Sequence, residues 1–297
     1  MLDTCHMLSF FKAVFEGSEI LLDKDGQLIQ WKQVAALNEL QKERFHLLNK
    51  LKPAHIQWQK QNMKVNWAAE TLSDSVADAI EYCSNILKLR PFFASGTVRF
   101  IRMFDQLFDI LNSRNPLAKG TKAPLRTSNM EFWGPFLEQA EQYILGLQDQ
   151  NGTPVVESER RPPFIGFPAC ISSVRGIFNS FVASQNAPLK YLLTHKMSQD
   201  HLELFFRAVQ ACVRAKDNPT AEELTAAVER LLVRHDVGAS GSKCSPLDGT
   251  RVLYALPHDP TAAQTGRPST TLSDITVAGR HGLTTVCEHA QDMEDAA

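Results

Sequence analysis

Lys196-Met197-Ser198-Gln199-Asp200-His201-Leu202-Glu203-Leu204-Phe205-Phe206 is the stretch from which the rest of the chain is read. Ser198 is placed to cap a helix, and Leu202, Phe205, Phe206, Val209 and Val213 recur at helical spacing. The pattern predicts a helix that begins near Ser198 and buries that stripe. Asp200 and Glu203 stand three residues apart, so both project from one side of the first turn, where the positive end of the helix dipole favours anions. Two carboxylates there either complement the dipole or hold a metal ion. The stretch by itself leaves both open.

Working outward, most of the chain has a helical pattern. Leu2-Asp3-Thr4-Cys5-His6-Met7 leads into an amphipathic segment with Leu8, Phe11, Val14 and Phe15 on one face, and Asp3 reads as its N-cap. Ile20 to Ile29 is two short apolar runs around Asp23-Lys24-Asp25-Gly26, a hairpin signal. Candidate helices follow at Trp31 to Leu51, broken by Pro53, and at Gln57 to Leu89, ending at Pro91. Others run from Val98 to Leu111, Glu131 to Leu147, Cys170 to Ala183 and Pro219 to His235, with a turn-rich segment from Asn151 to Phe167. In the Val98–Leu111 helix, Phe100, Phe104, Leu107, Phe108 and Leu111 line the buried side, and Arg102, Asp105, Asp109 and Asn112 share the other. From Gly238 onward Gly, Ser, Thr, Pro and His dominate without periodicity, which reads as a disordered tail.

With 297 residues, 43% hydrophobic and 22% charged, the composition is that of an ordinary soluble globular protein, and no run of about 18 apolar residues suggests a membrane span. Cys5, Cys83, Cys170, Cys212, Cys244 and Cys287 form no CxxC pair, which argues against a zinc knuckle or a disulfide scaffold. Net charge is −2, yet Lys88 to Arg126 holds eight basic residues against Asp105 and Asp109. Such an excess suits phosphate contacts or a solvated helix face.

Five stretches together resemble P-element-type DNA transposases, including the vertebrate THAP-domain-containing relatives: LDTCHM at the N-terminus, Met63 to Ile80 (MKVNWAAETLSDSVADAI), Arg102 to Arg126 (RMFDQLFDILNSRNPLAKGTKAPLR), Lys190 onward (KYLLTHKMSQDHLELFF), and the SQDHLELFF within it. They occur in the family's order up to about Asp236.

The resemblance implies a mainly α fold, with a helical insertion domain between the two ends of a truncated RNase H-like (α/β) domain. Residues 1–30 would carry the second catalytic aspartate, 31–189 the GTP-binding insertion, 190–236 the catalytic-glutamate helix, and 237–297 the tail. It makes Asp3 and Glu203 the catalytic, metal-binding acids for Mg²⁺ or Mn²⁺. It places Lys64, Val65, Phe108, Asp109 and Asn112 near GTP, with Asp200 closing the pocket and Lys50 as a looser addition. A lysine meets phosphate as a point charge, and a carboxylate accepts from guanine N1–H and its exocyclic amine. No Walker-type loop is present, so the residues alone suggest no nucleotide. The implied partner is transposon-end DNA in the nucleus, with no membrane. The family's first aspartate, its THAP zinc finger and its coiled coil lie upstream of the matched residues, so the chain alone is expected not to cleave DNA. The alternative is a domesticated, non-catalytic module that binds a nucleotide or a partner.

Overall fold

Asp3 starts the first helix by giving its orphan N–H groups an acceptor. In the computed structural model, which describes residues 2–43, 49–56, 65–93, 95–213 and 218–234, Asp3 Oδ1 accepts from Cys5 N (2.8 Å) and His6 N (3.3 Å), and α1 (Thr4–Ser18) follows. The expected hairpin is β1 (Ile20–Leu22) and β2 (Leu28–Gln30). Its loop is held by Asp23 Oδ1, which accepts from Asp25 N (2.9 Å) and Gln27 N (2.8 Å), and it turns at Gly26, whose φ of 73° suits glycine. A third strand, β3 (Gln148–Asp149), pairs antiparallel with β1 to give the order β2-β1-β3. The turn-rich reading after Leu147 missed it, because two residues carry no period.

Eight further helices complete the main body and its extension: α2 (Trp31–Glu43), α3 (Pro53–Ile56), α4 (Val65–Thr71), α5 (Asp74–Asn85), α6 (Ser95–Leu111), α7 (Thr127–Leu145), α8 (Pro162–Phe181) and α9 (Asp200–Cys212). The last helix is α10 (Ala221–Arg234). The core is aromatic. The Phe11 ring on α1 lies with its centroid 3.7 Å from Phe104 and 5.3 Å from Phe100 on α6, and 4.9 Å from Phe164 on α8, all four fully buried. Gly96 permits the close approach of α6 to β2, since a Cβ there would stand 2.6 Å from the Leu28 carbonyl oxygen.

Four expectations about elements need correction. Pro53 does not simply break a helix but opens α3, as proline can in a first turn. The single amphipathic run expected from Gln57 to Leu89 is divided, within the described residues, into α4 and α5. Thr71 Oγ1 donates to Trp67 O (2.6 Å) and Ser73 Oγ to Glu70 O (2.8 Å), so hydroxyls take up the last carbonyls of α4. Helix α8 begins at Pro162, eight residues before the predicted Cys170, because Pro162 and Pro163 occupy positions that lack an intrahelical N–H bond in any case. The stripe after Ser198 is only partly covered: Val209 is 2% exposed, whereas Leu202 and Phe206 are each 57% exposed. The predicted tail, Cys244, Cys287 and the start of the Gln57 helix lie outside the described residues.

The chain divides into two compact units, the larger comprising Met1–Asp200 and the smaller taking up the chain from His201. Within the smaller unit α9 and α10 meet through Val209, Ala227 and Leu231. Helix α10 is opened by a capping box, in which Thr220 Oγ1 accepts from Glu223 N (3.3 Å) and Glu223 Oε2 from Thr220 N (3.0 Å). Cys5, Cys83, Cys170 and Cys212 are free thiols, as expected. No helix among the described residues is long and apolar enough to cross a membrane.

Candidate active site and nucleotide corner

Three segments of the larger unit converge at the start of α1 and the end of α6. Thr4 Oγ1 donates to Leu111 O (3.4 Å), which ties the first turn of α1 to the last turn of α6. Ser113, just past α6, is gripped by the segment Thr194–His195: Ser113 N donates to Thr194 Oγ1 (2.9 Å), Thr194 Oγ1 donates to Ile110 O (2.6 Å), and His195 N donates to Ser113 O (3.1 Å). Thr194 is fully buried, so these bonds form away from water and fix the register of both segments. From that anchor a 3₁₀ turn (Thr194–Met197) carries the chain to Gln199, whose N–H donates back to Asp3 Oδ2 (3.3 Å).

Asp3 is thus 4% exposed and used through both oxygens. Oδ1 caps α1, while Oδ2 faces the Gln199 N–H and His6 Nδ1 at 3.1 Å. One residue is both an N-cap and a carboxylate aimed at the join between the α1 start and the approach to α9. Both contacts of Oδ2 are long or involve a half-exposed ring, so that oxygen can be given to a divalent cation without loss of the cap. Glu203 stands on the first turn of α9, half-buried, in the smaller unit.

The residues suggested for a nucleotide gather beside the same corner. Cys5 and Val65 form a small buried cluster against which Phe108 packs, joining α1, the first residue of α4 and α6. Phe108 is half-buried and packs both against this cluster and against the main core, in keeping with its spacing on α6. Asp109, on the next position of α6, accepts from Thr121 Oγ1 through Oδ2 (2.8 Å), and Lys122 Nζ is 3.9 Å from Oδ1. Burial raises the Asp109 pKa, opposed by the Thr121 hydrogen bond and the Lys122 charge. Oδ1 keeps acceptor capacity for a donor edge such as that of guanine. Asn112 Oδ1 accepts from Arg114 (3.4 Å). Lys50 is exposed, Lys64 lies outside the described residues, and of the two acids expected on α9's first turn Asp200 is placed at the helix start.

Elsewhere on α6 the polar row behaves differently. Arg102 is enclosed by three carboxylates, Asp74 (3.2 Å), Asp78 (2.6 Å) and Glu81 (2.7 Å), and Arg99 pairs with Asp25 (2.8 Å). Both arginines line a cavity of about 520 Å³ with Phe93, Gln106, Phe136 and Gln139. Their charge is already met by carboxylates, so this cavity offers little to a triphosphate, and two of the eight basic residues counted between Lys88 and Arg126 are engaged in ion pairs. Thr121 and Thr194 were missed in the sequence. A hydroxyl that orients a carboxylate or threads two backbones carries no spacing signature.

Comparison with known proteins places this geometry in a family. Residues 5–124 match the model described as the TNP-like, GTP-binding insertion domain, and residues 195–227 the TNP-like, RNase H C-terminal domain. The chain is 29% identical over 234 residues, 78% of its length, to the human DNA transposase THAP9. This chain belongs to the P-element-type transposase family. It is also 24% identical over 225 residues, 73% of its length, to the Drosophila melanogaster transposable element P transposase. The Drosophila P element transposase strand transfer complex has the same fold, with a TM-score of 0.65 at 20% identity over 81% of this chain and 52% of the other. The transposase-type chain spans 26% and 28% of the two relatives' lengths. Its mostly helical body and small sheet match the expected insertion domain with part of an RNase H-like region.

Proposed function

We propose that this transposase-type chain carries a GTP pocket and two metal-binding carboxylates used in Mg²⁺- or Mn²⁺-dependent cleavage and strand transfer of transposon-end DNA in the nucleus. The observation that carries the reading is the packing of Cys5, Val65 and Phe108. Two residues that the family resemblance assigns to nucleotide binding, 43 positions apart in sequence, meet two residues from the carboxylate assigned to metal. Asp109 and Asn112 follow Phe108 on the same helix, and Asp109 keeps one carboxylate oxygen for the guanine edge. In this reading Lys64 and Lys50 meet the phosphates and Asp200 closes the pocket. GTP acts as a bound cofactor that is not hydrolysed.

Asp3 and Glu203 are the acids this chain supplies to the metal. Asp3 and Glu203 would hold a divalent ion, which when bound would supply activation of the attacking oxygen and stabilisation of the leaving one. Asp3 contributes Oδ2 from a position its capping role holds rigid, and burial at 4% exposure keeps water from competing for it. The test is calorimetric titration with GTP. The wild-type chain binds, and Asp109→Ala weakens binding at least about tenfold, the loss of one charge-assisted pair of hydrogen bonds. Absence of GTP binding, or equal affinity of Asp109→Ala, overturns the nucleotide assignment.

A further inference from the structure

The cavity beside Arg99 and Arg102 serves neither the nucleotide corner nor the metal acids, and its walls define what it can take. Phe92, Val98 and Met103, all buried, give it an apolar lining, and Asn85, Gln106 and Gln139 add side-chain amides from α5, α6 and α7. Phe93 closes the 3₁₀ turn Arg90–Phe92, its N–H donating to Arg90 O (3.4 Å), and is held there 59% exposed. Phe136 on α7 lines the same cavity. At about 520 Å³, apolar with a few polar groups, the cavity has the make-up of a binding site.

Its charge selects the ligand. Asp74, Asp78 and Glu81 recur at i, i+4 and i+7 on one face of α5, and all three reach Arg102. Three carboxylates on one guanidinium leave an excess of two negative charges. Arg99 is matched by Asp25 at 2.8 Å, and Lys88 and Arg90 are not among the lining residues. The three acidic side chains are 44% to 62% exposed, so they keep lone pairs open to a further donor. Such a rim repels phosphates and draws cations.

We infer that this cavity docks a basic segment of a partner protein, with an apolar side chain seated against Phe93 and Phe136 and flanking Arg or Lys side chains on Asp74, Asp78 and Glu81. Arginine suits the acids better than lysine, because its planar fork meets carboxylates in pairs. The amides of Asn85, Gln106 and Gln139 supply both donors and acceptors to the backbone of such a segment. The inference stands apart from the GTP and metal readings.

Fluorescence anisotropy of the full chain with a labelled synthetic peptide, Leu-Phe-Leu flanked by arginines, tests it. The peptide should bind with a dissociation constant on the order of 10–100 μM, the range of a small transient contact. Peptides with glutamates for the arginines, or serines for the apolar centre, should bind at least about tenfold more weakly. Phe93→Ser, at an exposed position, should cost about tenfold. Asp78→Asn with Glu81→Gln should cost about three- to tenfold and flatten the salt dependence. Glu157→Gln with Glu159→Gln makes the same change of net charge at exposed positions off the cavity lining and should shift affinity less than about twofold. No binding of the arginine peptide, equal binding of the glutamate peptide, or equal losses in the two charge-matched variants overturns the inference. So does a wild-type dimer, seen by sedimentation without peptide, that Phe93→Ser dissociates, since the face would then pair two copies of this chain.

Discussion

Asp3 is assigned two tasks by two different oxygens, and substitution can separate them. Asp3→Ala removes the acceptor of the Cys5 and His6 N–H bonds, at 2.8 and 3.3 Å, together with that of the Gln199 N–H at 3.3 Å. Loss of a helix cap costs about 1–2 kcal/mol, here toward the upper end because the site is buried. For a unit of this size that lowers Tm by about 2–8 °C. Asp3→Asn keeps the Oδ1 acceptor and so the cap. Its amide replaces Oδ2 and gives up only the long bond from the Gln199 N–H at 3.3 Å, so the loss should be less than about half that of alanine. Mn²⁺ binding, followed by electron paramagnetic resonance, should instead fall at least about tenfold in both variants, since neither offers an anionic ligand. Thermal melts read the first effect and the resonance titration the second. If Asp3→Asn binds Mn²⁺ like the wild type, Asp3 is a cap alone and the metal assignment fails.

Three further outcomes follow from packing and titration. Gly96→Ala should destabilise the larger unit by about 1–3 kcal/mol in denaturant melts, because the added Cβ meets a backbone oxygen at 2.6 Å that cannot rotate away. Asp105 is raised to about 6, first by burial and then by Asp109 and Asp74, so the folded state holds its proton more tightly than the unfolded chain. Stability from this group therefore falls as pH rises from about 4 to 6, and Asp105→Asn should raise Tm at pH 7.5 but not at pH 4, as melts across that range will show. His55 behaves oppositely: burial, then Lys12 and Lys52, hold it down at about 4, and its Nδ1 accepts from Lys52 N while Nε2 faces Glu70 at 3.2 Å. Folding thus favours the neutral ring, stability drops as pH falls from about 6.5 to 4, and His55→Gln should flatten that acid limb in the same melts.

What the sequence made legible was local. An Asp before Thr4, an apolar face at Leu8, Phe11 and Phe15, and an Asp-Gly turn each act within a few residues, and each is found in the structure. The division at Leu72–Ser73 escaped because Thr71 and Ser73 compete for carbonyls in a way that apolar spacing does not register. Helix α8 begins before its apolar spacing marks it, because two prolines, which elsewhere favour turns, stand at its first positions. Leu202 and Phe206 match a helical stripe that the described structure leaves exposed, since periodicity marks a face and not what covers it. The meeting of Val65 with Phe108 is beyond any spacing rule. It depends on α1, α4 and α6 packing around Cys5, and only the family resemblance brought those positions together in advance.

Photolabelling with an azido-GTP, read residue by residue by mass spectrometry, tests the nucleotide corner most directly. The account predicts labels on Val65 and on Phe108 to Asn112, lost when unlabelled GTP competes. Labels confined to Phe93, Phe136 and Gln139, which line the cavity at the other half of α6, would contradict it.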